Sequence, residues 1–337
     1  MIKFIFQNAI IILLIFISGC SVNSTDKYIN DRSNIINIRE KLKFIHTDLI
    51  VGPNAKLYAT DDYIIITDPN SMDNLINFLR ADDYSFLCER VKRGRGPREL
   101  TRMGDIAVAL DGHSFLVPDF GKHAIFRYDI KYLIEDDSYS YNPSKICDLP
   151  KSQFPSTLKA IDTVNFMGTI IEPVGTGHFN QTVGIWNIEN KEIRTIYSGH
   201  SKLSACRVCY DLSTEYSIVA IAHHHHDLMS ITDIEGNLKY NIYGPKWNSS
   251  SSNKEYHYGN VVVCNDMIMA SYSGGKNDDE GRAIHQIIVY DLNGNYVKTL
   301  DIGLPFQNFC FNSKNDSLIF ILNDEKQFAY IKLFDII

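Results

Sequence analysis

The sequence predicts an all-β fold, a six-bladed β-propeller, from its composition and from an internal repeat. The chain has 337 residues, of which 19 are Tyr and 18 are Phe. Aromatic and β-branched side chains favour strands, and only short stretches of this chain follow a helical period. A unit of about 50 residues recurs six times, and three or four short strands in such a unit are typical of a propeller blade.

Each unit contains a short apolar run that we interpret as a strand. In chain order the six runs are residues 63–67, 114–117, 168–171, 217–221, 267–270 and 317–321.

Each run is followed by an anchor in which a strand ends at Asp or Asn before a tight turn. The clearest anchors begin at Asp233 and Asp291, and each contains a Gly-Asn pair. Gly tolerates positive φ, and an Asp carboxylate accepts hydrogen bonds from turn amides. Weaker copies lie near positions 81, 129, 187 and 335.

The last unit ends at its third strand, which would leave an unpaired edge in the ring. We therefore expect the segment around residues 38–50 to supply the fourth strand of the last blade. This N-terminal strand would close the ring.

The first 20 residues predict export and a lipid anchor. Lys3 precedes an apolar stretch that is shorter than the roughly 20 residues needed to span a bilayer, so residues 1–19 are interpreted as a signal peptide. Residues 17–20, Ile-Ser-Gly-Cys, resemble a bacterial lipobox, with Cys20 as the lipidated residue. We expect residues 20–39 to be a tether, residues 40–337 to form the propeller domain, and the protein to lie in the cell envelope, on the outer membrane.

Charge and cysteine content limit the partners. With 33 basic and 40 acidic residues the net charge is −7, which argues against a nucleic-acid partner. Six cysteines follow Cys20, in a compartment that permits disulfides, and their pairing is left open. The Cys206-x-x-Cys209 spacing is assigned to packing or to one structural bridge, because no second ligand pair accompanies it.

Residues 93–100, Arg-Gly-Arg-Gly-Pro-Arg-Glu-Leu, resemble the G-x-G-P-G-E-[FL] motif of the TolB-like, six-bladed propeller lipoproteins of Bacteroidetes. Arg98 stands where that motif has its last Gly. The resemblance implies the fold and the envelope location. It transfers no catalytic residue, because the family is largely without an assigned reaction.

The predicted binding site is the mouth of the central channel, where turns between second and third strands meet the connections between blades. Seven of the 11 histidines fall in those turns. The candidate ligand-binding residues, chosen because Arg recognises carboxylates and phosphates, are Arg93, Arg95, Arg98, Arg102, His123 and His178.

A second candidate is a divalent metal site in the histidine run. Alternate residues of an extended segment point to the same side, so His223 with His225, or His224 with His226, could supply two imidazoles to one ion, and a carboxylate from another blade could complete the site. The candidate ligands are His223, His225 and Asp227. No other cofactor is predicted.

These features favour a lipid-anchored binding or scaffold protein, monomeric, whose partner is a small molecule, a glycan or an envelope protein. No reaction-specific motif is present, so an enzyme is the less favoured class. Two alternatives stay open. One is a metal-dependent hydrolase or lyase that uses the clustered histidines, and the other is a component of a polysaccharide-import or envelope complex.

Overall fold

A computed structural model describes residues 25–150, 152–250, 253–278 and 280–336. The predicted signal peptide and Cys20 lie outside these residues. The described chain is almost entirely strand, with one short helix, α1 (Ile130–Ile134), and two 3-10 turns at Arg39–Lys41 and Leu333–Asp335. The all-β prediction is therefore confirmed. Within the described residues no helix has the length and apolarity that crossing a bilayer requires.

Four sheets have the size of a propeller blade, and in each of them consecutive strands pair in antiparallel fashion. The chain begins with three short strands, β1 (Asp26–Tyr28), β2 (Ile35–Asn37) and β3 (Lys43–Phe44). The first sheet contains β4 (Lys56–Ala59), β5 (Tyr63–Thr67), β6 (Asn74–Arg80) and β7 (Phe86–Lys92). The second contains β8 (Ala107–Val108), β9 (Ser114–Asp119), β10 (Ala124–Asp129) and β11 (Ser144–Asp148).

The third and fourth sheets follow the same order. The third contains β12 (Phe154–Ala160), β13 (Asn165–Gly175), β14 (His178–Asn187) and β15 (Ile193–Tyr197). The fourth contains β16 (Val208–Ser213), β17 (Ile218–His223), β18 (Leu228–Thr232) and β19 (Leu238–Tyr243), with β1 added at its edge.

A fifth sheet has eight strands, so the number of separate sheets differs from the predicted six. It contains β20 (Glu255–Cys264), β21 (Met267–Lys276), β22 (Ile284–Asp291), β23 (Tyr296–Asn312), β24 (Ser317–Leu322) and β25 (Phe328–Lys332), followed by β3, and β2 pairs with β23. The sheet is continuous because β23 has 17 residues: its first half pairs mainly with β22 and its second half with β24. The chain stays extended where we expected a loop between two blades.

Residues 25–44, which we call the N-terminal arm, lie along the outer edges of two sheets. β1 pairs in parallel with β19, β2 pairs in parallel with β23, and β3 pairs with β25 in antiparallel fashion. Residues 25–39, predicted to be part of a polar tether, are therefore part of the fold. The physical reason is that free sheet edges offer unpaired backbone groups, which the arm satisfies.

Candidate functional site

A central cavity of about 840 Å³ is lined by the first strand of each four-stranded meander. These strands are β4, β8, β12, β16 and β20, and the second half of β23 joins them. Single residues of other elements also reach the cavity, namely Thr169 of β13, Gln181 of β14 and His224 of the β17–β18 turn. The lining mixes apolar side chains with amide, hydroxyl and charged side chains from several sheets.

Side chains in the cavity connect neighbouring strands of the lining. Lys56 pairs with Asp105 at 2.5 Å, and Lys159 pairs with Asp211 at 2.6 Å. The other Asp211 oxygen accepts a hydrogen bond from the backbone N–H of Val263 at 2.8 Å. Both lysines of the lining are therefore already paired, so the cavity wall itself offers little free positive charge.

The connection from β7 to β8 carries the four predicted arginines, and we call residues 93–102 the arginine loop. The side chains of Arg93, Arg95, Arg98 and Arg102 are exposed. The loop leads directly to Asp105, which lines the cavity. The arginines themselves are not among the residues that line the cavity, and ligand binding at them stays a prediction.

Glu99 explains the glycines of the motif. Its carboxylate folds back into the loop and accepts a hydrogen bond from the N–H of Gly96 at 2.7 Å. A Cβ at Gly94 would overlap that carboxylate, so a larger residue there would displace the Glu99 side chain from this position. The Glu99 carboxylate, the single acidic group of the loop, is thus bonded to the backbone and forms no ion pair with the arginines.

The turn between β9 and β10 holds the arginine loop in place. The Lys122 ammonium donates to the carbonyl oxygens of Gly96 and Glu99 at 2.6 Å each. Buried Asp119 accepts the backbone N–H groups of Thr101 and Arg102 at 2.8 and 3.0 Å. The loop is rigidly supported although its side chains face solvent.

The guanidinium groups of the loop are left without acidic partners in the described part of the chain. Arg93 and Arg98 donate only to carbonyl oxygens, those of Ser71 at 3.2 Å and Tyr139 at 3.4 Å. No ion pair of the described residues involves any of the four arginines. The result is a patch of positive charge on a protein of net charge −7.

The two remaining candidates for ligand binding are not equally placed. His123 is exposed in the same turn as Lys122, with φ of 52°, and so lies beside the arginine loop. His178 is exposed at the start of β14 in the third sheet, on a hairpin whose tip extends into solvent. The structure therefore brings His123, and not His178, to the arginines.

The histidine run forms the turn between β17 and β18, but its side chains have separate partners. His223 is fully buried, and its Nε2 lies 2.8 Å from the Tyr197 hydroxyl. The Nδ1 atom of His225 lies 2.8 Å from the carbonyl oxygen of Glu255. Among the described residues no three His, Cys, Asp or Glu side chains are grouped as a metal site would require. Metal binding at His223, His225 and Asp227 stays a prediction.

Asp227 is the centre of a buried cluster that the sequence did not predict. Its carboxylate accepts hydrogen bonds from Arg32 at 2.9 Å, from the Tyr258 hydroxyl at 3.0 Å and from the Tyr272 hydroxyl at 3.1 Å. Arg32 also donates to the Tyr290 hydroxyl at 2.8 Å. Arg32 comes from the N-terminal arm, so nothing in the local sequence around residue 227 indicates this partner.

A second group of cationic and aromatic side chains includes one residue of the cavity lining, His224. The Arg207 guanidinium lies 4.0 Å from the centre of the Phe179 ring, and Arg282 lies 5.7 Å from that of Tyr256. His224, which lines the cavity, is parallel to the Tyr256 ring at 5.9 Å. Flat aromatic faces beside guanidinium groups suit a ligand with both apolar and anionic parts.

The six described cysteines are all free thiols. Five of them are buried, and Cys209 is half-buried. Burial raises the pKa of both Cys206 and Cys209 to about 12. The Cys-x-x-Cys pair is accordingly part of the packing and lacks the thiolate character of a redox site.

Comparisons with known proteins identify the fold. No protein-family model matches the chain, and no curated protein sequence matches it. Solved structures do. A Bacteroides fragilis protein named as an exported protein aligns with a TM-score of 0.55 and 12% identity, over 91% of this chain and 98% of that chain.

Two further structures are similar. The β-propeller domain of Cps50 (Swd1) from Myceliophteria thermophila has a TM-score of 0.53 and 10% identity, over 86% of this chain and 98% of its own. The WD40 repeats of RRP9 have a TM-score of 0.50 and 12% identity, over 87% and 97%. At such low identity these likenesses show the fold alone, and that fold is a β-propeller.

Proposed function

We propose that this protein is a lipid-anchored β-propeller of the bacterial envelope that acts as a binding scaffold, with an anionic ligand at the arginine loop. Cys20 carries the lipid in this proposal, and the outer membrane is the membrane that holds it. The WD40-type propeller among the similar structures supports an interaction role, as does the absence of a reaction-specific motif in the sequence.

The proposal includes six blades and a closed ring. The eight-stranded sheet would then be two blades that share β23, one from β20 to the first half of β23 and one from its second half to β3. Two observations support this division. The cavity is lined by β4, β8, β12, β16, β20 and the second half of β23, and β3 pairs with β25 at the place where a fourth strand is needed.

The ligand class follows from the charge of the arginine loop. Four exposed guanidinium groups lie on one supported loop, and no ion pair of the described residues involves them. Guanidinium forks bind carboxylates in bidentate fashion. We therefore propose a carboxylate-bearing glycan as the ligand, and the uncompensated charge of this loop is the observation that carries the proposal.

Binding of oligogalacturonate, measured by isothermal titration calorimetry, tests this function. A variant with Arg95→Ala, Arg98→Ala and Arg102→Ala should bind at least tenfold more weakly, because charge-assisted hydrogen bonds contribute about 1.5–3 kcal/mol each. The matched control removes three exposed cations far from the loop, Arg80, Lys131 and Lys314, with the same change of net charge. Equal affinity of the two triple variants for the oligosaccharide would contradict the assignment.

The two alternative functions predicted from the sequence are tested by different experiments. A component of a polysaccharide-import or envelope complex would use the same face, and crosslinking followed by co-purification would identify its partner. A metal-dependent hydrolase would require stoichiometric metal in protein that is purified without a nickel column. The contacts of His223, His225 and Asp227 favour the binding scaffold, because each has a protein partner.

A further inference from the structure

We propose that the outer edge of the second sheet is a further binding site, which takes an extended segment of a partner protein as an added strand. The site is a groove of about 820 Å³ between β11 and two turns of the third sheet, those that join β12 to β13 and β14 to β15. We call it the β11 groove. Its lining contains no residue of the arginine loop, so the inference goes beyond the proposed glycan ligand and does not depend on it.

The fourth sheet shows how an outer edge of this kind is filled. The arm strand β1 pairs in parallel with β19, and the N–H of Ile29 donates to the Tyr243 carbonyl at 2.8 Å. Lys27 reaches from the arm to the next sheet, where its ammonium donates to the carbonyl oxygen of Asn293 at 2.6 Å. The outer strand of one sheet and a turn of the next sheet thus hold one extended segment between them.

The second sheet has the same construction at its outer edge. In the fourth sheet the Gly244 N–H, directly after the fourth strand, donates to the carbonyl of Asp227, directly before the third strand, at 2.8 Å. In the second sheet the Leu149 N–H donates to the His123 carbonyl at 2.8 Å, from and to the same places. Asp148, the last residue of β11, therefore corresponds to the last residue of β19.

The outer edge of β11 is open in the described part of the chain, where this strand pairs with β10 alone. The Leu149 N–H points toward β10, and backbone groups alternate in direction along a strand, so the N–H and C=O of Asp148 point outward. The corresponding carbonyl of β19 is the one that accepts the arm. Unpaired backbone groups at a sheet edge are a template to which an extended peptide adds as a strand.

The turn between β14 and β15 presents a second acceptor to the groove. The anchors at positions 187, 233 and 291 correspond, so the carbonyls of Glu189, Glu235 and Asn293, each two residues later, correspond as well. The Asn293 carbonyl accepts Lys27, and the Glu235 carbonyl accepts the Arg194 guanidinium at 3.0 Å. The Glu189 carbonyl accepts no hydrogen bond from the residues that the structure describes. A segment bound in the β11 groove should therefore carry Lys or Arg at the place of Lys27.

The charges of the groove indicate the residue that precedes this cation. The lining has three cations, Arg127, Lys145 and Lys191, and two carboxylates, Asp148 and Glu189. Lys145 pairs with Asp148 at 2.6 Å, whereas the other two cations take part in no ion pair of the described residues. An acidic side chain of the partner would meet this excess of positive charge. The occupant is therefore an extended segment with an acidic residue followed by a basic one, the order that β1 also has.

Fluorescence polarisation of a labelled peptide tests the site. The probe is Ser-Thr-Asp-Lys-Tyr-Ile-Asn, the sequence of residues 24–30, because it has the required order. Asp148→Pro removes the outward N–H, which β10 does not use, and an edge strand tolerates Pro at such a position. The matched control Asp148→Ala removes the same carboxylate and keeps the N–H. We expect the Pro variant to bind the peptide at least tenfold more weakly than the Ala variant. Equal affinity of the two variants, or no binding by the unsubstituted protein, overturns the proposal.

Hydrogen exchange of the unsubstituted protein gives a readout that needs no variant. With saturating peptide the Asp148 amide should exchange at least tenfold more slowly, whereas the amide of exposed Met72 should not change. Unchanged exchange at Asp148 overturns the proposal. Sedimentation velocity examines a second copy as the occupant: a dimer that Asp148→Pro abolishes would replace the partner segment by that copy. The triple arginine variant should bind the peptide normally, so failure of the glycan site and failure of the β11 groove are observed separately.

Discussion

At the residue scale, one chemical preference of Asp produces different local structures in this chain. Asp233 and Asp291 each accept a turn amide, from Asn237 at 2.7 Å and from Asn295 at 2.8 Å, as the repeat predicted. Asp129, a weaker copy of the same anchor, accepts the N–H of Tyr132 and begins helix α1. A carboxylate accepts hydrogen bonds from free backbone amides both in a turn and at the start of a helix. The Asp residue therefore determines the hydrogen bond, but it does not determine whether a turn or a helix follows.

The buried His223 imidazole makes the stability depend on pH. Burial, together with the nearby His226 and His200, lowers its pKa to about 3. In the unfolded chain the pKa is about 6.5, so between these values the unfolded state binds a proton that the folded state does not. The free energy of unfolding should therefore fall as the pH falls from about 6.5 to 3, with a slope from this residue of about 1.4 kcal/mol per pH unit.

Urea unfolding at several pH values checks this effect. We expect His223→Gln to reduce the pH dependence of the free energy of unfolding by the contribution of one proton, because Gln does not titrate. Gln also keeps a polar group near Tyr197. Exposed His113→Gln should leave the slope unchanged. If His223→Gln retained the full slope, other buried histidines such as His224 would have to account for the acid sensitivity.

At the element scale, the arm contributes to stability through a few buried side chains. Ile38 is fully buried, and its N–H donates to the Asp301 carbonyl at 2.9 Å. It belongs to the apolar core that contains Leu300, Ile302 and Leu333. Ile35, three residues earlier on β2, is 53% exposed. The same residue type in one arm thus meets two environments.

Because the two side chains differ in burial, replacing each with Ala should change the free energy of unfolding by different amounts. Ile38→Ala should lower the free energy of unfolding by about 2–5 kcal/mol, because it removes buried methyl groups and leaves a cavity. Ile35→Ala should change it by less than about 0.5 kcal/mol. Chemical denaturation of the two variants provides the measurement, and a small effect at Ile38 would mean that the arm is dispensable for folding.

At the scale of the whole molecule, the proposed closure depends on contacts between distant parts of the chain. The N–H of Ile45 donates to the carbonyl of Phe328 at 2.9 Å, next to the pairing of β3 with β25. On the side of the cavity, the Asn308 side-chain oxygen accepts a hydrogen bond from the N–H of Leu57 at 2.9 Å. These bonds join the beginning of the domain to its end.

Hydrogen exchange of backbone amides tests the closure. If the ring closes through β3, the Ile45 amide should exchange only through global unfolding, with protection comparable to that of buried Ile65 in β5. The amide of Met72, in an exposed turn, should exchange quickly. Fast exchange at Ile45 with intact protection at Ile65 would show that the ring opens at this seam.

The sequence by itself determined the strands and the turns. All six predicted apolar runs lie in the second strands of their groups, because burial on both faces leaves a continuous apolar pattern. The topology gives a physical reason for expecting the arginines and His123 at one end of the sheets, since antiparallel strands alternate direction and bring alternate turns to one end. Short-range patterns record which face is buried and where the chain must reverse.

Only the tertiary structure decided how distant segments meet. Three features have no signal in the local sequence. They are the pairing of the arm with β19, β23 and β25, the joining of two groups of strands through β23, and the buried ion pair of Arg32 with Asp227. The physical reason is that an edge strand accepts any extended segment, and a buried charge accepts any suitable counter-charge. Which segment fills each role depends on where the complete fold leaves an edge or a charge without a partner.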